Sequence, residues 1–163
     1  MNKKILLLLL FLTTLACSSK PEKPIPEKQL EGWAGNPDNP NEKPFNYFYM
    51  RYKGKASGHL FWSSCTENTA LDGKKHLIIK MVDDTLNLFK PLITPNIKTL
   101  RKKLINENQK KIRGVSSYDC KPLSVPDPQI PYSGYKECEC LIFVHAPGGK
   151  DGIIARAKEL DKD

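Results

Sequence analysis

Histidine is scarce in this chain, long apolar runs are missing, and no catalytic signature stands among its 163 residues. The longest apolar run, residues 5–12, is far shorter than the roughly 20 residues a bilayer-crossing helix needs, so it does not read as a membrane span. The three histidines, His59, His76 and His145, fall in no H-E-x-x-H frame, and no G-x-S-x-G is present. These absences remove the metalloprotease and serine-hydrolase signatures, and no nucleophile is paired with a base in sequence. Acidic residues are outnumbered, 18 against 26 Lys+Arg, which gives a net charge of +8. The expectation is a non-enzyme.

What is present begins at the N-terminus. Lys3 and Lys4 precede the apolar run of residues 5–12, and small residues follow up to Ala16-Cys17-Ser18-Ser19. A positive segment, a short apolar segment and small residues before a cut site describe a secretory signal peptide over residues 1–16. The cut site resembles a bacterial lipobox, with Thr14 where leucine is usual and Leu15 one step later. Cys17 is then the lipidation site, and its covalent lipid is the only prosthetic group expected. Two or three acyl chains, at about 0.8 kcal/mol per buried methylene, hold a protein on a bilayer durably where one does not.

Residues 17–44 read as a tether. Pro21, Pro24, Pro26, Pro37, Pro40 and Pro44 are interleaved with lysine and glutamate, and the apolar residues Ile25, Leu30, Trp33 and Ala34 are too few to offset the entropy of ordering. Trp33 has two readings, a binding role or a return against the edge of the domain, since tryptophan rarely stays solvated. Residues 45–163 form the expected single globular domain. Loss of the leader removes two of the 26 basic side chains and none of the 18 acidic ones, leaving +6. That surplus favours anionic lipid, glycan or host polyanions as partners through nonspecific attraction. Nucleic acid is not an expected partner of an exported protein.

Four further cysteines, Cys65, Cys120, Cys138 and Cys140, enter an oxidising compartment on export, and their even number suggests two disulfides. Cys138 and Cys140 lie two apart in KECECLIFV, a strand signal, so both point to one face and are poorly placed to bond to each other. Cys120 is expected to pair with one of them across neighbouring strands. Cys65 is expected to pin a helix to the sheet with the other. Thiolates also suit zinc, but this spacing lacks the paired knuckles of zinc ribbons, and no metal site is expected.

Residues 46–57 alternate, with Phe48, Met50 and Tyr52 on one face and Tyr47, Tyr49, Arg51 and Lys53 on the other, a strand with one half-exposed aromatic and basic face. Ser57 is placed to cap a helix through Leu60, Phe61, Ser64, Cys65 and Asn68, and Asp72-Gly73 breaks it. Leu77, Ile78, Met81, Val82, Thr85 and Leu86 mark a second helix, ended by Pro91 and Pro95. Ile97, Leu100, Leu104 and Ile105 mark a third, whose outside carries Lys102, Lys103, Lys110 and Lys111, the candidate anionic-ligand face. A strand follows at 112–123, with Val115, Ser117 and Asp119 alternating against Ser116, Tyr118 and Cys120. After the C-x-C strand, Pro147-Gly148-Gly149 turns the chain into a last helix with Ile153, Ile154, Ala157 and Leu160 inward. Gly148-Gly149-Lys150 lacks the spacing of a phosphate-binding loop. The sum is an α+β domain: a small antiparallel sheet of about three strands, packed on one face by three to four helices and braced by disulfides.

Tyr118-Asp119-Cys120-Lys121, Glu137-Cys138-Glu139-Cys140 and Pro147-Gly148-Gly149-Lys150-Asp151, in this order and with YMRYKGKAS before them, resemble the 21-kilodalton surface lipoprotein family of leptospiral spirochaetes. The resemblance runs from about Trp33 to Leu160 and departs most between Pro91 and Lys111. The element order is more distantly similar to LPP20-like lipoprotein domains. The resemblance implies an outer-membrane lipoprotein without catalysis, a surface antigen held against the cell wall. Peptidoglycan is then the expected partner, with an adhesin-like module for an anionic host or soluble ligand as the alternative.

Overall fold

The computed structural model describes residues 31–56, 61–88, 97–123 and 137–162. In chain order the elements are β1 (Gly32–Ala34), β2 (Tyr47–Lys55), α1 (Phe61–Leu88), α2 (Ile97–Lys111), β3 (Ser116–Pro122), β4 (Glu137–His145) and α3 (Gly149–Leu160). The strands form one antiparallel sheet in the order β1-β2-β4-β3. The fold is α+β, with four strands where about three were expected. Cys17, the Ser57 cap and the stops at Pro91 and Pro95 lie outside the described residues, as does His59.

The additional strand is β1, inside the stretch expected to be a tether. Its pairing with β2 puts Trp33 opposite Phe48 on the helix-covered face, where the indole stands edge-on to the Phe48 ring at 5.4 Å. The indole N–H donates to Thr85 Oγ1 at 3.0 Å. Burying one aromatic ring and satisfying its N–H is enough to hold a three-residue strand that has little propensity of its own. The ordered sheet therefore starts before Phe45.

A single helix, α1, replaces the two expected on either side of Asp72-Gly73. Its buried residues Phe61, Cys65, Thr69, Gly73 and Leu77 recur every four positions and continue through Ile78, Met81, Val82, Thr85 and Leu86. Asn68, expected inward, stands beside this row and donates to the Lys55 carbonyl at 2.9 Å. Gly73 sits within the helix because a glycine is the residue that fits: a Cβ there would meet the Tyr52 ring at 3.0 Å as well as the Ile142 side chain. Four residues earlier along α1, Thr69 is faced by Gly54 of β2, where an added Cβ would lie 3.0 Å from the Thr69 Cα. These two glycines let the longest helix lie close on the sheet. Gly54→Ala is expected to cost about 1–3 kcal/mol through overpacking against backbone, measured as a lower urea midpoint with an unchanged slope.

On the sheet, α1 covers Phe48, Met50, Cys138, Cys140, Ile142 and Val144, while α2 and α3 pack against α1 and each other. Leu100, Leu104 and Ile105 of α2 and Ile153 and Ala157 of α3 complete this core, whereas Ile97 is exposed. Two forked ion pairs lock α2 in place. Arg101 donates Nε and Nη2 to the Asp83 carboxylate of α1, at 2.5 and 2.8 Å, and Arg156 of α3 donates Nε and Nη2 to Glu107, at 3.0 and 2.8 Å. At the other end, Gly148 at φ 75° and Gly149 at φ 60° make the strand-to-helix turn, and the amide of Lys150 donates to the Phe45 carbonyl.

Two disulfides tie the layers. Cys65 of α1 is bonded to Cys138 of β4, and Cys120 of β3 to Cys140 of β4. The first pins helix to sheet and the second joins neighbouring strands, the division that the same-face placement of Cys138 and Cys140 requires. Strict alternation along β3, however, would put Cys120 on the same side as Tyr118. A bulge intervenes: Tyr118 pairs with Leu141 and Lys121 with Glu139, so Asp119 and Cys120 together oppose Cys140. Asp119 adopts φ 48°, a conformation that aspartate tolerates better than most residues. The extra residue reverses the facing and brings Cys120 to Cys140.

Candidate binding face

The sheet face away from the helices carries a second, smaller core. Tyr49 and Leu141 are buried there with Ala34, and Tyr47, Tyr118 and Phe143 pack around them. Phe143 is the hub: Tyr49 stacks on it at 5.4 Å, Tyr118 meets it edge-on at 5.5 Å and Tyr47 lies tilted at 6.2 Å. Alternation along β2 predicts a half-exposed aromatic face, but the structure closes most of it. Tyr49 is fully buried, and its hydroxyl donates to the Gly35 carbonyl at 3.0 Å, in the loop after β1. Burial pushes the Tyr49 hydroxyl well above the ordinary tyrosine pKa, and burial raises that of Tyr118 as well. The Tyr118 hydroxyl oxygen is buried without a hydrogen-bond partner.

The accessible end of this face is the edge where β1, the loop after it and the end of β4 meet. Tyr47 is half-buried and makes an edge-on contact with the exposed ring of His145 at 5.1 Å. Beside them lies a shallow cleft of about 230 Å³, lined by Asn36, Glu42, Lys43, Asn46, Tyr47 and His145. Its lining is one aromatic ring with amide, carboxylate and ammonium groups around it, and it is smaller than the roughly 300–1,000 Å³ usual for a small-ligand pocket. Its parts come from three separate stretches, and only Tyr47 among them stands out in the sequence as a member of an aromatic face. At the opposite end, Arg51 donates to Asp119 at 3.1 Å and Lys121 lies 4.0 Å from the same carboxylate, closing that rim.

The four lysines expected to share a basic face are divided by the helix. At 3.6 residues per turn, Lys103 and Lys110 lie almost in line and Lys102 a quarter-turn away, all exposed. Lys111 turns toward Glu107, with its Nζ 3.9 Å from the carboxylate. Lys111 nevertheless keeps most of its side chain exposed, and with the exposed Lys98 the helix carries five outward lysines.

Glu107 sits where the charges of α2 and α3 meet. The Arg156 hydrogen bond, then the nearby positive charges, hold its carboxyl below the usual carboxylate range. Its folded pKa is thus lower than its unfolded value of about 4.3. The stabilisation is present above that pH and is lost as pH falls through the folded value. Glu107→Gln is expected to remove this component, so the difference in urea midpoint between the two proteins should shrink steadily as pH falls below about 4.3.

His76 is exposed on α1 beside Tyr52, at 5.3 Å between rings, and stands apart from His145 on the far side of the sheet. Cys65, Cys138 and Cys140 bring three buried sulfurs within 4.8 Å of one another, but all three are committed to disulfides. Among the described residues no helix is long and apolar enough to cross a membrane. No family model, no curated protein and no solved structure matches this chain.

Proposed function

We propose that this protein is a non-catalytic lipoprotein of the bacterial outer membrane, anchored through lipid on Cys17, whose domain associates with peptidoglycan through the cleft beside Tyr47 and His145. The observation that carries export is the pair of closed disulfides, because such bonds persist in oxidising compartments. It agrees with the charged and apolar leader that ends just before Cys17, and with the resemblance to spirochaete surface lipoproteins. For the wall, a sugar ring offers an apolar C–H face to an aromatic wall, and its hydroxyls suit the amides of Asn36 and Asn46.

A second reading, an adhesin-like module for an anionic ligand, rests on the exposed lysines of α2. Two forked arginine pairs fix that helix and leave Lys98, Lys102, Lys103 and Lys110 facing outward.

Two measurements test the proposal. Intact mass of the protein from native membranes should start at Cys17 with acyl chains added, and Cys17→Ala should leave the membrane fraction. An unacylated mass would refute the anchor. Co-sedimentation with insoluble peptidoglycan should persist at about 1 M salt, where charges are screened beyond about 3 Å, and should fall for Tyr47→Ala with His145→Ala. Binding that vanishes with salt, or with Lys102, Lys103 and Lys110 changed to glutamine, would replace the cleft by the basic face.

A further inference from the structure

The two disulfides are not independent. Cys65 Sγ, bonded to Cys138, lies 3.3 Å from Cys140 Sγ, which belongs to the other bond. Two features of the fold produce this contact. Cys138 and Cys140 share one face of β4, and the close seat of α1 over the sheet brings Cys65 down onto both. Cys65, Cys138 and Cys140 are fully buried, whereas Cys120, on the edge strand β3, is only partly so. An external thiol therefore meets Cys120 first. The sulfur released by its attack is already beside a second disulfide.

We propose that this cluster is an intramolecular thiol–disulfide relay, with Cys120 as an S-thiolation site for a small monothiol and Cys65 as the sulfur that changes partner. The thiolate of the incoming thiol attacks Cys120 Sγ, forming a mixed disulfide there. The Cys120–Cys140 bond breaks and its electron pair leaves on Cys140. That thiolate attacks Cys65 Sγ, forming Cys65–Cys140 and expelling Cys138 as the thiolate, which takes up the proton given up by the incoming thiol. Two disulfides and one thiol enter, and two disulfides and one thiol emerge. No oxidant is required, and each step is ordinary exchange by a thiolate on a disulfide sulfur. Thr69 Oγ1, which donates its hydrogen to the Cys65 carbonyl, lies 3.7 Å from Cys138 Sγ and can accept from the thiol once that sulfur is protonated.

The consequence is selective. The helix staple survives because Cys65 moves its bond by two residues on the same strand face, while the link that holds the edge strand β3 is released. The free thiol ends buried on Cys138 beneath α1, away from the sulfur first attacked.

The test uses the full chain with Cys17→Ala, so that every thiol counted comes from the cluster. Adding Cys120→Ser leaves Cys140 as a thiol beside an intact Cys65–Cys138 bond. After acid quenching and non-reducing peptide mapping, the Cys65–Cys140 cross-link is expected beside Cys65–Cys138, since attack by the Cys140 thiolate on the neighbouring disulfide brings the two pairings to equilibrium. Finding Cys65–Cys138 alone would overturn the relay. The parallel experiment needs no cluster variant: native protein is exposed to reduced glutathione and mapped in the same way. The expected first product carries glutathione on Cys120, a cross-link between Cys65 and Cys140, and a thiol on Cys138. A product with the thiol on Cys140 and Cys65–Cys138 intact, or four thiols appearing together, would refute it. Should Cys120→Ser fail to fold, the glutathione product decides alone.

Discussion

Replacing Cys65 and Cys138 together by alanine is expected to lower the unfolding free energy by about 4 kcal/mol, against about 3 kcal/mol for Cys120 and Cys140 together. The order follows from the loops the bonds close, 73 residues in the first case and 20 in the second. A longer closed loop removes more conformations from the unfolded chain, and the gain grows with the logarithm of its length. The first pair also lies wholly in the core, so its loss leaves a void under α1 as well as a freer unfolded state. Domains of this size are stable by about 5–15 kcal/mol in total, so either loss is a large share. Urea midpoints of the two double variants check the claim. If the variant lacking Cys120–Cys140 proved the weaker, the edge-strand bond would be bracing the native state in a way that loop length does not describe.

Trp33→Ala is the second large effect, about 2–4 kcal/mol, slightly below the usual range for a buried tryptophan because the ring is only partly covered. The substitution removes the edge contact with Phe48, the indole hydrogen bond to Thr85 and the packing that holds β1 on β2. Trp33→Phe keeps most of the ring burial and loses the N–H, so its cost should be near 1 kcal/mol. A change within about 0.5 kcal/mol for Trp33→Ala, the usual size for an exposed position, would place Trp33 with the tether after all. In a Trp62→Phe background, where Trp33 is the remaining tryptophan, fluorescence followed through a urea titration would show whether Trp33 is released together with the whole fold.

The candidate face shows how unevenly such features can be read. Tyr47 and the odd-numbered positions of β2 are plain in sequence, because alternation at period two assigns faces without any knowledge of neighbours. That Tyr49 is closed off while Tyr47 stays accessible depends on the loop after β1, whose Gly35 carbonyl accepts the Tyr49 hydroxyl. No local pattern announces a loop folding over a sheet. Asn36, Asn46 and His145 reach the cleft for the same nonlocal reason. On α2 the lysine-rich outside was legible from helical periodicity, as was the i,i+4 neighbourhood of Glu107 and Lys111, whereas the forked bond from Arg156 of α3 to Glu107 was not, since it joins two helices.

By itself the sequence determined the α+β class, the buried stripe of α2 through Leu100, Leu104 and Ile105, and the rule that Cys138 and Cys140 take different partners. Each of these follows from side-chain periodicity within one element, which is a local property of the backbone. Only the tertiary structure decided that α1 runs unbroken through Gly73, that Gly32–Ala34 is a strand, and that a bulge at Asp119 turns Cys120 toward Cys140. In each of those cases a weak local preference was overruled by a contact from a distant part of the chain. Gly73 fills a space too small for a side chain, Trp33 finds a ring and an acceptor to bury against, and Cys120 finds a sulfur to bond.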